Sequence, residues 1–429
     1  MKEYQKCAGE MLAFIEKSPT CFHAVENIKQ AFAEKGFQEL EETGEWKLSP
    51  GEGYYVTRND SSVIGFRIPG EGNPAGFHII ASHDDSPCFK IKESPEMTVE
   101  NIYRKLNTEK YGGMILSTWL DRPLSVAGRV VVRGENGITT KLVHIEEDLM
   151  VIPNVAVHMN RDMNKGVEYN PQTDMLPLYG EYKEEDGKHV FMERIAKEAG
   201  VNREDILGHD LFLYIREKGR IFGEKGEFVL SPRLDDLQCV YASVRGFLES
   251  MPRQYVNVCA VFDNEEVGSG TKQGADSTFL EDTLWRIAEG MGLGRSEFLR
   301  LVAGSFLISA DNAHALHPNH PEKADPVNKP CLNGGIVIKF QGSQKYATDA
   351  VSAAGMRLIC QEAGVPCQTY ANRSDIPGGS TLGNISTSHV SVASVDIGLP
   401  QLAMHSAVET GGVKDTQYAV EAFRVFFGK

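Results

Sequence analysis

The sequence predicts an α/β sandwich with a mostly parallel central sheet, interrupted by an inserted domain that is rich in strands. From residue 230 onward, short apolar runs alternate with helical patterns such as DLQCVYASVRGFLES and ATDAVSAAGMRLICQEAG. This alternation is typical of helices packed on a parallel sheet. The stretch from about 94 to 229 differs, because paired apolar runs there flank tight-turn signals. At 429 residues the chain is long enough for two domains. We therefore expect the sandwich over 1–93 and 230–429 and the insertion over 94–229.

The individual elements follow from spacing and turn residues. The first 45 residues predict two helices separated by Ser18-Pro19-Thr20, with Ser18 or Thr20 as the cap of the second helix. From Tyr54 to His83, apolar runs separated by Gly, Pro and Asn predict strands. In the insertion, GRVVVRG and ITTKLVHI flank Glu135-Asn136-Gly137, a hairpin signal because Asn-Gly readily takes positive φ angles. Further along, NVAVHMNR is predicted as a strand, NKGVEYNPQTDM as a loop and FMERIAKEAG as a helix.

Composition excludes several classes of partner. The net charge of -15 argues against nucleic acid and against anionic membranes, and an acidic substrate would need a local cation to select it. No apolar run approaches the roughly 20 residues that cross a bilayer, and the N-terminus does not resemble a signal peptide. The 8 cysteines have no pairing rhythm, which favours reduced core cysteines and a cytoplasmic location.

Five short acidic or histidine clusters follow apolar, strand-like runs. They are His83-Asp84-Asp85, Asp235-Asp236, Asp263-Asn264-Glu265-Glu266, Asp311 and His405. In open α/β sheets, ligands bind outside the carboxyl ends of the strands. We therefore expect these side chains to lie close together, although each cluster alone also has an ordinary structural interpretation.

The first two clusters suit a metal site. The His83 imidazole can bind a zinc-like ion while the Asp85 carboxylate holds its second nitrogen; the alternative is a polar surface turn. Asp235 can bridge two cations that lie about 3.5–4 Å apart. The alternative is that Asp235 or Asp236 caps the helix that follows.

Glu265 and Glu266 are adjacent carboxylates that follow a buried strand, and they repel each other unless cations offset them. At a metal site one can be a ligand while the other accepts a proton from water; the alternative is an exposed acidic loop. Asp311 supplies a further carboxylate. The histidines at 314, 317 and 320 are expected to orient neighbours or line a pocket, and a lone histidine such as His405 is usually a hydrogen-bonded core residue.

Together the clusters predict a centre with two divalent metal ions. Each ion would have three protein ligands, namely His83, Asp235 and Asp311 at one ion and Asp235, Glu266 and His405 at the other. The three carboxylates carry three negative charges against four positive ones, and one hydroxide balances the remainder. Zinc is the expected metal, with cobalt or manganese as alternatives, because all three accept mixed nitrogen and oxygen donors.

Nine stretches of the chain, from about residue 18 to 406, resemble the M18 metallo-aminopeptidases, the aspartyl aminopeptidase family. They are SPTCFHAV, SHDDSPCFKIK, YGGMILSTWLDRPLSVAGRV, IPNVAVHMNR, SPRLDDL, FDNEEVGS, SADNAHALHPN, GGIVIKF and VDIGLPQLAMHS. The resemblance implies a phosphorylase/hydrolase-like three-layer catalytic domain and an inserted β-rich domain that pairs subunits, often within a dodecamer. It also implies two zinc or similar ions and the removal of N-terminal residues, classically acidic ones, from peptides.

The resemblance also implies roles for single residues. The five ligands named above and Glu265 as general base match the family's pattern. His158, in the insertion, is implied to complete the active site of a neighbouring subunit. Lys339 is implied to recognise an acidic side chain, whereas a lysine in a strand pattern is otherwise a solvated residue.

Three positions depart from the family's pattern, which leaves strict acidic specificity open. Cys21 stands where proline is common, Asp236 where asparagine is usual, and Gly378 where a cysteine is common. The alternatives are therefore an aminopeptidase of broader specificity, or another dinuclear metallohydrolase such as a deacylase or carboxypeptidase.

Overall fold

The structure, a computed structural model, describes residues 2–135, 137–184, 187–376, 378–379 and 381–429. The chain forms two compact units. Unit 1 comprises the residues up to Asp85, Gly219–Met404 and Glu409–Lys429, and unit 2 comprises Ser86–Lys218 and His405–Val408. In the described ranges, no helix is both long enough and apolar enough to cross a membrane.

Helices and strands are numbered in chain order. The helices are α1 (Glu3–Lys17), α2 (Cys21–Glu34), α3 (Val190–Ala199), α4 (Leu234–Leu248), α5 (Phe279–Gly290), α6 (Arg295–Ala303), α7 (Ala350–Ala363), α8 (Leu382–His389) and α9 (Asp415–Phe427). The strands are β1 (Gln38–Leu40), β2 (Gly53–Arg58), β3 (Ser62–Arg67), β4 (Gly76–His83), β5 (Cys88–Val99), β6 (Tyr103–Tyr111), β7 (Leu124–Gly134), β8 (Gly137–His144), β9 (Leu178–Glu181), β10 (Ile206–Ile215), β11 (Arg220–Phe222), β12 (Phe228–Ser231), β13 (Tyr255–Phe262), β14 (Phe306–Ala310), β15 (Ala313–His314), β16 (Ile336–Phe340), β17 (Cys367–Ala371), β18 (Ala393–Gly398), β19 (Pro400–Leu402) and β20 (Glu409–Gly412).

The main sheet of unit 1 positions the site. Over the described residues its strand order is β1-β2-β3-β13-β4-β14-β18-β16-β17. The central pairs β13–β4, β4–β14 and β14–β18 are parallel, whereas β3 and β16 join their neighbours β13 and β18 in antiparallel orientation. The carboxyl ends of β13, β4 and β14 therefore meet at one edge. A smaller sheet of unit 1 has the order β11-β12-β20-β19-β15.

Apolar helix faces cover both surfaces of the main sheet. Successive side chains of a strand point to opposite faces, and the central strands are buried on both. Ile80 belongs to a core shared with Leu237 of α4 and Phe423 of α9, whereas Ile79 belongs to a separate core with Leu284 of α5. The predicted three-layer sandwich is confirmed.

Unit 2 is built on an antiparallel sheet with the order β8-β7-β10-β5-β6-β9. Its core contains Phe89, Trp119 and Phe191, the last of these on α3. The predicted hairpin is present, because β7 and β8 pair up to Gly134 and Gly137; Asn136 lies outside the described residues. The predicted β-rich insertion is therefore also confirmed.

Two details differ from the sequence-based expectations. The predicted strand NVAVHMNR is wrong, since residues 154–161 form no strand. Its apolar alternation pairs with no strand among the described residues, and Met159 is 82% exposed. The insertion also begins and ends earlier than 94 and 229. The first strand of unit 2, β5, starts at Cys88 and pairs with β10, while β11 and β12 belong to unit 1 because β12 pairs with β20.

A buried histidine on β4 makes the stability of unit 1 depend on pH. His78 stacks between the rings of Tyr255 and Phe426, and its Nδ1 lies 2.9 Å from the Phe426 carbonyl oxygen. Burial lowers the pKa of His78 to about 4, and Lys429 adds to the effect. Because the unfolded chain binds the proton below about pH 6.5, stability present above that pH is lost as the pH falls toward 4.

We expect His78→Phe to remove this dependence. Between pH 7 and 5, the free energy of unfolding of the wild type should fall by about 2 kcal/mol more than that of the variant. Urea unfolding in the presence of a chelator measures the difference. Parallel pH profiles for the two proteins would contradict the assignment to His78.

Candidate metal centre

His83 is the last residue of β4, and its side chain is 1% exposed. Its Nδ1 lies 3.1 Å from the backbone carbonyl oxygen of Asp85 and 3.3 Å from Oδ1 of the same residue. Its Nε2 lies 3.5 Å from Oδ1 of Asp235 and 3.7 Å from Oδ1 of Asp311. Burial alone would lower the pKa of His83, but the facing carboxylates of Asp235 and Asp311 hold it well above its ordinary value. Asp85 therefore holds one nitrogen while the other faces two carboxylates.

Asp235 and Asp236 follow Leu234 at the start of α4, where the backbone is not yet helical. The backbone dihedral angles of Asp235 (φ -81, ψ 109) and Asp236 (φ -116, ψ 20) place a kink at this point, so the regular part of α4 begins after them. Both carboxylates are buried, but they face different partners. Asp236 Oδ2 accepts the backbone N–H of His83 at 3.2 Å, and burial raises the pKa of Asp236 well above its usual range. Asp236 thus holds the end of β4, whereas Asp235 faces the imidazole.

Asp311 directly follows β14, and its side chain is 13% exposed. One carboxylate oxygen faces His83, and Oδ2 lies 3.3 Å from Nζ of Lys339. Lys339 comes from β16 and is 3% exposed, so the interpretation of this lysine as a solvated strand residue is wrong. Burial alone would lower the pKa of Lys339, but the Asp311 carboxylate raises it above its ordinary value. A buried ammonium group is therefore placed beside the cluster.

Glu265 and Glu266 lie in a short 3-10 turn, Glu265–Val267, just after β13. Both backbone N–H groups donate to the Asp85 carboxylate, to Oδ1 and Oδ2 respectively, each at 3.1 Å. One side chain thus holds the His83 imidazole and this turn together. Burial raises the pKa of Glu265 to about 7, with a further contribution from the Asp311 carboxylate. Glu265 as a whole residue is partly exposed.

The donor atoms in unit 1 fit a divalent metal ion. Ligand atoms of His83, Asp235 and Asp311 lie within 4.8 Å of one another, and so do those of His83, Glu265 and Glu266. Imidazole nitrogen with carboxylate oxygens is a donor set of zinc, manganese and cobalt sites. The buried carboxylates outnumber the His83 imidazole and the Lys339 ammonium group beside them, and a divalent cation would balance the remaining negative charge.

Two predicted residues lie in unit 2. Nδ1 of His405 lies 2.6 Å from the Gly113 carbonyl oxygen, so Nδ1 carries the proton and Nε2 carries the lone pair that a metal needs. His158 lies in an exposed turn.

Sequence reasoning missed one buried acid at the site. Glu409, on β20, is 2% exposed and accepts the backbone N–H of Asp235 at 3.0 Å. No strand-end signal could reveal it, because Glu409 is the first residue of a short strand. The three histidines at 314, 317 and 320 line a cavity of about 330 Å³ together with Tyr346, Tyr370 and Gln401, in agreement with the expectation that they line a pocket.

Comparisons with known proteins identify the family. A family model described as Aminopeptidase I zinc metalloprotease (M18) matches residues 14–427. The chain belongs to the M18 family. It is therefore an M18 aminopeptidase, a metal-dependent hydrolase of peptide bonds. This result confirms the resemblance that the nine sequence stretches indicate, and the family description names zinc.

M18 relatives match over nearly all of their length. The chain is 50% identical over 431 residues to a probable M18 family aminopeptidase 2 of Clostridium novyi (strain NT), covering 100% of both chains. It is 39% identical to a probable M18 family aminopeptidase 2 of Pseudomonas fluorescens (strain SBW25), covering 97% of both.

Solved structures show the same M18 fold. The structure of the Ape4 and Nbr1 complex matches with a TM-score of 0.95 and 37% identity, covering 100% of this chain and 87% of that one. The structure of the S. cerevisiae mApe1 dodecamer matches with a TM-score of 0.86 and 26% identity, covering 99% and 97%.

Proposed function

We propose that this M18 chain is a dinuclear aminopeptidase that removes N-terminal aspartate or glutamate from peptides, with Glu265 as general base. The observation that supports it most is the side-by-side placement of two donor groups in unit 1. One contains His83 with Asp235 and Asp311, and the other contains His83 with Glu265 and Glu266. Because His83 belongs to both groups, the proposed base lies next to the proposed metal ligands.

The proposed ligands divide between two divalent ions, zinc by preference and cobalt or manganese as alternatives. His83, Asp235 and Asp311 would hold one ion, and Asp235, Glu266 and His405 would hold the other. For His83, support comes from Asp85, which occupies Nδ1 and leaves Nε2 facing the carboxylates. For His405, support comes from the Gly113 carbonyl, which fixes the same tautomer.

The chemistry divides between the ions and the side chains. When bound, two divalent ions polarise the scissile carbonyl and lower the pKa of water. Glu265 removes a proton from the attacking water and returns it to the leaving amine. Asp85 positions both partners of this step, since its carboxylate holds the His83 imidazole and the backbone of Glu265. Asp235, whose carboxylate faces His83 Nε2, would be the ligand that the two ions share.

Acidic selectivity is proposed to depend on Lys339. Its ammonium group is buried beside Asp311 and lies 5.7 Å from the ring centre of Tyr346, which lines the cavity described above. A net charge of -15 repels acidic peptides at long range, so a local cation is needed to favour them. His158 is proposed to contact substrate in a neighbouring subunit, which its exposure permits.

The assembly is proposed to be a homo-oligomer, with a dodecamer built from dimers through unit 2 as its proposed form. Support comes from the mApe1 structure, which is described as a dodecamer. A cytoplasmic location is proposed from the cysteines, all 8 of which are described and none of which is in a disulfide. The proposed binding partners are peptides. We do not propose nucleic acid or membranes as partners.

The test compares peptides with a free N-terminus and N-acetylated peptides of the same sequence, using zinc-loaded protein. The proposal expects hydrolysis of the free peptides alone. Activity on the blocked peptides alone would favour the deacylase alternative, and release of C-terminal residues would favour the carboxypeptidase alternative. A panel of aminoacyl substrates then distinguishes acidic from broader specificity.

Replacing Lys339 tests the source of selectivity. We expect Lys339→Leu to lower kcat/KM for N-terminal Asp and Glu by roughly tenfold to a hundredfold, about 1.4 to 2.8 kcal/mol, with a smaller loss on Ala or Leu. The reason is loss of the buried ammonium group that pairs with a substrate carboxylate. Zinc content must be measured in parallel, because Lys339 also contacts Asp311. Equal losses on acidic and neutral substrates would show that Lys339 supports Asp311 and does not select substrates.

A further inference from the structure

We infer that Glu409 is a positioning residue of the proposed metal centre, which acts by holding the backbone of Asp235 so that the Asp235 carboxylate could reach the ions that it is proposed to bind. The inference rests on the proposed function, in which Asp235 is the shared ligand. It adds a residue that no strand-end cluster contains.

The contact is direct and buried. Oε2 of Glu409 accepts the N–H of Asp235 at 3.0 Å, and Glu409 and Asp235 are each 2% exposed. The first N–H groups of a helix have no acceptor within the helix, and Asp235 is the second residue of α4. Glu409 supplies the missing acceptor from outside the helix.

Strand pairing places this acceptor. Glu409 is opposite Ser231 in the antiparallel pair of β12 and β20, and the chain continues from Ser231 through Leu234 into α4. β20 also packs on the first turn of α4. The side-chain atoms nearest to Gly411 of β20 belong to Val229 of β12 and to Leu234 and Gln238 of α4. The Glu409 carboxylate therefore belongs to the same small sheet whose strand β12 leads into α4 and Asp235.

Glu409 contacts a proposed metal ligand through the ligand's backbone and is not itself one of the proposed ligands. Carboxylates that support ligands from outside the coordination sphere commonly raise metal affinity, and the geometry of Glu409 suits this role toward Asp235.

The experiment measures zinc affinity by competition with a chromophoric chelator, together with kcat and KM on a free-amino peptide. We expect Glu409→Ala to weaken zinc binding by roughly tenfold to a hundredfold and to lower kcat at saturating peptide, with KM changed less than about threefold. Glu409→Gln keeps an oxygen acceptor and should recover most of the zinc affinity lost in Glu409→Ala.

Asp415→Ala is the matched control. Asp415 is also a fully buried carboxylate that accepts two backbone N–H groups, those of Asn333 and Gly335, but it has no contact with a proposed ligand among the described residues. We expect this variant to lose stability while its zinc affinity stays within about threefold of the wild type.

The outcomes separate the inference from the function on which it rests. Equal zinc affinities in the wild type and Glu409→Ala overturn the role of Glu409 and leave the aminopeptidase proposal standing. A wild type that binds zinc but cleaves only N-acetylated peptides overturns the proposed function. If Glu409→Ala does not fold, Glu409→Asp takes its place, because its carboxylate is one methylene shorter and lies farther from the Asp235 N–H. Unchanged zinc affinity in Glu409→Asp also overturns the inference.

Discussion

Glu265→Gln is expected to retain zinc and to lose most of its turnover, by roughly a hundredfold to ten-thousandfold in kcat. Glutamine has nearly the same shape but cannot accept the proton of the attacking water. The backbone N–H of residue 265 would still donate to Asp85, so the turn should keep its place. Zinc per chain, measured by elemental analysis, and kcat on a free-amino peptide check the expectation.

Glu266→Gln is the matched partner of that variant. It changes the neighbouring carboxylate of the same turn, which is proposed as a ligand, so zinc content or zinc affinity should fall along with activity. If Glu265→Gln keeps kcat within about threefold of the wild type, Glu265 is not the base. If it loses zinc as Glu266→Gln does, the roles of the two glutamates are exchanged or shared.

Asp235→Asn and Asp236→Asn are expected to differ sharply although the residues are neighbours. Asp235 is proposed to bridge the two ions, and Asp235→Asn removes the second anionic oxygen that this role requires. We therefore expect a decrease in zinc affinity and a fall in kcat/KM of roughly a thousandfold or more, about 4 kcal/mol. Asp236 instead accepts a hydrogen bond from the backbone N–H of His83. An asparagine oxygen can accept the same bond, so the activity of Asp236→Asn should stay within about tenfold of the wild type.

Zinc titration and steady-state kinetics on both variants check this pair. A similar loss of zinc in the two would mean that the negative charge of Asp236, and not only its hydrogen bond, supports metal binding. Intact zinc binding and activity in Asp235→Asn would remove Asp235 from the metal centre, together with the role inferred for Glu409.

The central arrangement was open to sequence reasoning because one rule governs it. His83, Asp263 and Asp311 end or follow strands that proved to be parallel neighbours, β4, β13 and β14. Apolar runs locate such strands, and polar residues that end them meet at the same edge. A separate pattern predicted the α/β sandwich, since buried strands that alternate with helices are typical of helices packed on a parallel sheet.

What the sequence did not indicate depends on pairing between distant segments. Asp85 accepts two N–H groups from a turn 180 and 181 positions away, and Glu409 reaches Asp235 through the register of a short sheet. Neither register leaves a periodic trace in the sequence. NVAVHMNR shows that a periodic pattern can also mislead. Its apolar residues alternate as in a strand, but it pairs with no strand in the part of the chain that the structure describes.

The interruption of unit 1 between Asp85 and Gly219 has a consequence for folding on the ribosome. β4 emerges early, but both of its partners in the sheet, β13 and β14, are synthesised only after the whole of residues 86–218. Such distant pairings are slow to form. Unit 2, by contrast, has every strand of its sheet once Ile215 is made. During that interval the apolar strand that ends in His83 lacks both neighbours, so it is open to aggregation before the residues of the proposed metal centre can assemble.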